Sequence, residues 1–182
     1  PATTLAPAAT TGAGVAVVAS STTGINGNLG FQSGDVGRLI RILHGSTWGF
    51  ATITTVTDAL NVVVTITGAF GNTTAVATWR LGLWSDYAGW PACSAFYEAR
   101  LAYAGGPAQP ERVSLSVIGQ YDNYVPTDAA GVVLDTYAID VDCVSEDTQA
   151  IRWMLPDEKG LLCGAANGEF VVRPSTTGEA LT

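Results

Sequence analysis

Apolar and polar side chains alternate with a period of two along most of this sequence. The alternation is longest in residues 90–124, where two runs flank a corner between Pro107 and Pro110. In the first run, one side holds Ala95, Tyr97, Ala99, Leu101 and Tyr103, and the opposite side holds Glu98 and Arg100. In the second run, the apolar side holds Val113, Leu115 and Val117. Because successive side chains of a strand point to opposite faces of a sheet, each run predicts one strand. The prolines lack amide donors, which argues against a central strand between them.

Shorter alternating runs precede residue 85. They occupy residues 14–20, 38–44, 50–57, 61–67 and 78–84. Short strands separated by turns predict a small β-barrel or sandwich domain at residues 15–84. The third and fourth runs predict a hairpin across Asp58-Ala59-Leu60, and the second run, apolar on both sides, predicts a strand covered on both faces.

Two stretches flank this predicted domain. Residues 1–14 are rich in Ala, Thr and Pro and carry no charge, a composition that predicts an extended arm or linker. Residues 85–91 break the composition again. We therefore place the domain boundary there and treat residues 85–182 as a second β region.

Four short strands are predicted in the last part of the chain. They lie at residues 137–143, 151–155, 161–164 and 169–173. Trp153 shares an apolar side with Ile151 and Leu155, and Asn167-Gly168 is typical of a two-residue hairpin turn with positive φ. A meander of four strands fits either a propeller blade or an ordinary antiparallel sheet.

Composition agrees with an all-β chain. Of 182 residues, 47% are apolar and 13% charged, with 21 glycines, as in β proteins with short turns. The chain contains no apolar run long enough to span a membrane. Its net charge of -8 lies wholly in residues 91–182, which hold 13 acids against 5 bases. This charge argues against phosphate-backbone recognition.

Residues with catalytic or metal-binding chemistry are few. His44 is the single histidine, so a Ser-His-Asp or Cys-His site would need it, yet it stands at a plain strand end. Asp140 and Asp142, with Asp135 and Asp147 nearby, could hold a hard cation, but a solvated acidic face is the favoured interpretation. The spacing of the three cysteines matches no metal site, and they are interpreted as buried free thiols. We predict no enzyme and no cofactor.

An ordered set of motifs carries a family resemblance. The motifs are Gly89-Trp-Pro, Phe96-Tyr-Glu-Ala-Arg-Leu-Ala-Tyr-Ala-Gly, Pro107-Ala-Gln-Pro, Gly119-Gln-Tyr-Asp-Asn-Tyr, Ile151-Arg-Trp-Met-Leu, Leu161-Leu-Cys-Gly and Gly168-Glu-Phe, preceded by Asp35-Val-Gly-Arg-Leu-Ile-Arg-Ile. In order and spacing this set resembles the nozzle proteins of tailed bacteriophages, also called tail tubular protein B. The resemblance covers most of the chain from about residue 15.

The resemblance implies a fold and a role. Nozzle proteins are built on a β-propeller with inserted β-domains, so residues 85–182 would form propeller-type blades, and the sequence would be a piece of a longer chain. The implied protein is a structural part of the virion tail, assembled in the host cytoplasm. Six copies would form a ring attached below the head-to-tail adaptor, with other tail proteins as further partners, and viral DNA would pass through it without specific binding.

Two residue sets are candidates for this role. Acids that could face the channel are Glu98, Asp140, Asp142, Glu146 and Asp147. Aromatics that could form a subunit interface or a carbohydrate-stacking patch are Tyr87, Trp90, Tyr121 and Tyr124. The alternative functions are a carbohydrate- or receptor-binding β-domain of a tail fibre or spike, and a small enzyme using the acidic cluster.

Overall fold

The computed structural model describes residues 2–144 and 148–174. The chain forms two compact units, the first comprising residues up to Gly89 together with Ala129–Gly131, and the second the remainder. Within the described ranges the only helical elements are two short 3-10 turns, Asn26–Asn28 and Ser33–Asp35. The predicted all-β class is therefore confirmed. In the same ranges, no helix combines the length and apolar character that crossing a bilayer requires.

The first unit is one curled antiparallel sheet. Its strands are β1 (Leu5–Pro7), β2 (Gly12–Ala19), β3 (Leu39–His44), β4 (Thr47–Val56), β5 (Asn61–Gly68) and β6 (Trp79–Leu81). They are ordered β1-β2-β5-β4-β3-β6. Main-chain bonds of 2.9 and 3.0 Å between Leu5 and Val76, just before β6, bring the far edge back to β1. The inner side of the curl holds the core, including Leu5, Val17, Ile42 and Val64.

The N-terminal stretch differs from its prediction. Residues 1–14 were expected as an arm or linker, but β1 pairs with β2 and Leu5 is fully buried. The core-facing residues there alternate with small Ala and Thr, so the segment lacks the bulky apolar residues that would mark it as a strand. In β3, Ile40 and Ile42 are buried while Leu39 is 58% exposed; the strand is not covered on both faces.

A buried polar network shapes the loop before β3. Asp35 and Arg38 form an ion pair of 2.8 Å in which neither side chain is more than 9% exposed. The Asn26 amide donates to Asp35 Oδ2 at 2.6 Å, and Arg38 donates to Asn26 Oδ1 at 2.8 Å. Because every charge finds a partner, the Asp-Val-Gly-Arg motif is explained by loop structure.

The second unit contains two antiparallel sheets. The first holds β7 (Cys93–Tyr97), β8 (Arg100–Gly106), β9 (Gln109–Leu115) and β10 (Ile139–Asp142), and the second β11 (Trp153–Asp157), β12 (Gly160–Gly164) and β13 (Glu169–Val172). Their orders are β10-β9-β8-β7 and β11-β12-β13. One buried cluster joins them, with Ala102 and Leu115 from the first sheet and Leu161 and Cys163 from the second.

Four local expectations for the second unit are corrected. Residues 95–103 are not one strand, because Glu98 and Ala99 turn with φ of 47° and 56° between β7 and β8. The strand at 137–143 does not start the last meander, since β10 pairs with β9. Trp153 and Leu155 are 44% and 56% exposed rather than buried. Gly168 does not adopt positive φ, because the connection spans residues 165–168, closed by a bond from Ala165 N to Gly168 O.

Candidate binding face on the four-stranded sheet

The sheet β7–β10 has one buried face and one outer face. Across the strands, Ala95, Ala102, Leu115 and Ile139 stand opposite one another on the core side. The neighbouring row, Ser94, Tyr103, Ser114 and Asp140, therefore lies on the other face, because adjacent side chains of a strand alternate in direction. Ser94 and Asp140 are exposed at the two ends of this row, whereas Ser114 is only 6% exposed. Phe96 and Leu101 extend this outer face at one end of the sheet, and Arg112 and Asp142 at the other.

Aromatic rings occupy the first end of the outer face. Phe96 is 60% exposed and Tyr121 is 46% exposed. Their ring centroids lie 5.1 Å apart at an interplanar angle of 82°, an edge-to-face contact. The two rings form an open right-angled corner on the surface.

A second aromatic pair lies beside this corner. Tyr124 packs over Tyr103 with centroids 5.7 Å apart. Its hydroxyl donates to the main-chain oxygen of Leu101 at 2.9 Å. Burial raises the pKa of Tyr124 well above its ordinary value, and Tyr103 adds to the rise. The raised pKa keeps the hydroxyl protonated to higher pH than an ordinary tyrosine, so that it continues to donate the bond that fixes the ring against β8.

The other end of the face is polar. Ser114 Oγ donates to Asp140 Oδ1 at 2.6 Å. Arg112 donates to both carboxylate oxygens of Asp142, at 2.7 and 3.0 Å. The hydrogen bond from Arg112 lowers the pKa of Asp142, and the same bond raises the pKa of Arg112. The Asp142 carboxylate is thus ionised, and the hydrogen bonds hold both carboxylates in fixed orientations.

A buried arginine holds the loop that carries the aromatic residues. Arg100 is 1% exposed, and its guanidinium donates to the main-chain oxygens of Ser116, Asp135 and Tyr137. Burial lowers its pKa, while the Glu98 carboxylate opposes that shift. Since these acceptors flank residues 117–134, Arg100 ties both ends of the loop to β8.

The sequence-predicted residues are divided among several places. Tyr121 and Tyr124 lie at one end of the outer face, and Asp140 and Asp142 lie at the other. Glu98 lies exposed on the β7–β8 turn, at the end of the sheet opposite Arg112, where it interacts with the Tyr97 hydroxyl. Tyr87, 43% exposed, belongs to the first unit, and Trp90, 58% exposed, precedes β7. Glu146 and Asp147 lie outside the described residues.

Sequence reasoning missed three residues of this region. Phe96 and Tyr103 lie on the outer face, and Arg100 is buried, whereas the alternation put Tyr103 with the core residues and Arg100 outside. The turn at Glu98 and Ala99 makes the core positions step from Tyr97 to Arg100, an odd interval, so the alternation changes phase there. The small residues Ala102 and Ala104, which lie on the core side of β8, were the available signal that the alternation had changed phase.

The remaining candidate groups have structural roles. His44 is buried beside Phe70, with Nε2 2.9 Å from the oxygen of Thr74. Cys93, Cys143 and Cys163 are free thiols, and they belong to the second unit's core or pack against it. Over residues 2–144 and 148–174, no group of three His, Cys, Asp or Glu side chains is arranged to hold a metal ion.

Comparisons with known proteins add no assignment. No family model matches this sequence, and no curated protein matches it.

Proposed function

We propose that the chain is a structural component of a phage tail, part of a nozzle ring around the DNA ejection channel. The observation that carries the proposal is the packing of the motif residues. Phe96, Arg100, Gly105, Gly119 and Tyr124 are scattered through the resembling motifs, yet they all belong to one sheet and its loop.

Each of these motif residues has a definable packing role. Phe96 contacts Tyr121, Arg100 fastens the loop ends, and Tyr124 closes on Leu101. Gly119 adopts a φ of 70° and donates to the oxygen of Ala99. A motif set explained by packing is typical of a structural module, because catalytic motifs gather nucleophiles, bases and oxyanion donors instead.

The strand arrangement within each unit is compatible with this role. The second unit contains a four-stranded antiparallel meander, which is the strand arrangement of one propeller blade. The first unit is a separate curled sheet with its own core. A nozzle protein is expected to combine these two kinds of β module.

We further propose that Glu98 faces the channel or its rim. Glu98 lies at the tip of the turn between β7 and β8, so it stands at the end of the sheet and not on one of its faces. Asp140 and Asp142 instead lie on a sheet face, where they bond to Ser114 and Arg112. A channel surface poor in cations allows DNA to slide, because each Lys or Arg that contacts phosphate adds affinity.

The test uses purified virions and the isolated protein. Mass spectrometry of virions should find peptides of this sequence in a tail protein, and negative-stain microscopy of the purified protein or its parent chain should show rings with a central channel. Antibodies against residues 93–115 should label the tail and not the head. A protein that is absent from virions and stays monomeric at high concentration would refute the proposal.

A further inference from the structure

We propose that the outer face of β7–β10 is a binding site for a short, uncharged oligosaccharide. The inference rests on the geometry of this face alone and does not depend on the proposed ring. Its elements are the aromatic corner of Phe96 and Tyr121, the tyrosine pair Tyr103 and Tyr124, and the polar end at Asp140 and Arg112.

The exposed area of these two aromatic rings matches a sugar better than a protein partner. With roughly 150–250 Å² per aromatic side chain, exposures of 60% and 46% leave Phe96 and Tyr121 about 200 Å² of open surface together. A stable protein interface buries about 800 Å² on each partner. A sugar ring needs far less area, because one flat C–H face covers one aromatic ring.

The polar end supplies the groups that sugar hydroxyls require. Asp140 uses Oδ1 to accept from Ser114, and a carboxylate has several lone pairs, so it can accept from a hydroxyl as well. Arg112 uses Nε and Nη2 on Asp142, and a guanidinium has further N–H donors. A few fixed polar groups beside apolar rings are the usual composition of a small-ligand site.

The two ends are separated by the length of an oligosaccharide. From β7 to β10 the sheet crosses three strand spacings, and Phe96 is two residues along from the row of Asp140, which gives about 16 Å. This distance suits a chain of several sugars and exceeds a monosaccharide. Tyr103 lies between the two ends, in the row that joins Ser94 to Asp140.

The net charge of the polar end favours neutral saccharides over anionic ones. Asp140, Asp142 and Arg112 give the polar end a net charge of −1, and the second half of the chain is acidic overall. An anionic glycan or a nucleic acid strand would be repelled. The site should therefore prefer neutral sugars over uronic acids or phosphates.

The test measures binding of defined probes by calorimetry and by amide chemical shifts. The probes are maltohexaose, chitohexaose, a hexameric oligogalacturonate and decathymidylate. At least one neutral hexasaccharide should bind and shift the amides of residues 94–103 and 121–124, whereas the two anionic probes should not. Failure of both neutral probes, or equal binding of decathymidylate, would overturn the inference.

Variants then locate the site. Phe96→Ala and Tyr121→Ala should each weaken binding at least about tenfold, because each removes a stacking ring, whereas Phe96→Tyr should retain it. Leu39→Ala, at an exposed apolar position of the first unit, is the matched control and should bind normally. Since Phe96 is mostly exposed, Phe96→Ala should remain folded, which circular dichroism checks. Unchanged affinity in folded Phe96→Ala would exclude this face as the site.

Discussion

The main-chain oxygen of Ile151 lies directly against Gly105, in the space that a β-carbon would occupy. Gly105 also adopts a φ of 74°, which L residues with side chains rarely adopt. The contact joins the end of β8 to the segment before β11, so packing requires the glycine that ends the Ala-Gly pair of the motif.

Gly105→Ala should therefore destabilise the second unit by about 3 kcal/mol, combining steric overlap with positive-φ strain. Urea denaturation measures the loss. Gly119→Ala is the matched control, because Gly119 has a φ of 70° and open space around it; it should cost about 1 kcal/mol. Equal costs for the two variants would contradict the packing argument.

Arg100→Met should destabilise by about 3 kcal/mol or more, because three main-chain carbonyl oxygens lose the charged donor of a buried side chain. Hydrogen exchange should accelerate within residues 117–137 more than in β12. Arg100→Lys should recover only part of the loss, since an ammonium lacks the planar fork. Arg152→Met, at an exposed arginine, serves as the control. A loop that exchanges normally in Arg100→Met would show that the guanidinium does not hold it.

Trp153→Ala should cost only about 1–2 kcal/mol, less than a core tryptophan, because the ring is 44% exposed and lies over Gly164. Thermal melting compares it with Leu155→Ala, at a residue that is 56% exposed. A loss above about 3 kcal/mol for Trp153 would indicate that another surface covers the ring.

The sequence allowed the strands to be predicted better than their partners. Period-two alternation located β2 to β5 within a few residues, and the Asp58 turn formed as expected, with the Asp58 carboxylate accepting from the amides of Leu60 and Asn61. Pairing of β10 with β9 could not be predicted, because 23 residues separate Leu115 from Ile139 and alternation is a local property.

Only part of the candidate face was predicted, again because alternation is a local property of the sequence. Asp140, Asp142, Tyr121 and Tyr124 were chosen by residue type, and the structure places them on the same face, at its two ends. Tyr103 was missed because the Glu98-Ala99 turn uses no glycine or asparagine, the usual residues at positive φ, whereas Phe96 precedes the turn and was not chosen as a candidate. Without a turn signal, β7 and β8 were interpreted as one strand, and the inner and outer positions of β8 were exchanged.

Asp142 should add to stability at neutral pH and lose that contribution in acid. Its pKa is lowered by the bond from Arg112, so the stabilisation is present above the unfolded pKa near 3.9 and disappears as pH falls through the folded value. The pair is partly exposed, so screening limits it to about 0.5 kcal/mol. Unfolding free energies of wild type and Asp142→Asn should differ near pH 7 and converge near pH 2. A difference that persists in acid would assign the effect to packing.

Glu98→Lys should slow DNA release from assembled particles if the β7–β8 turn lines the channel. A lysine there would contact phosphate and release counterions, which adds affinity that DNA must overcome to slide. Added salt should restore the rate, because screening weakens such contacts. The backbone of the turn accommodates the exchange, because Glu and Lys have the same conformational cost at a φ of 47°, although the contact of Glu98 with the Tyr97 hydroxyl is lost. Glu169→Lys makes the same charge change on β13 and is the control. Ejection followed by dye fluorescence at low salt gives the rates; normal kinetics in Glu98→Lys particles would exclude the turn from the channel.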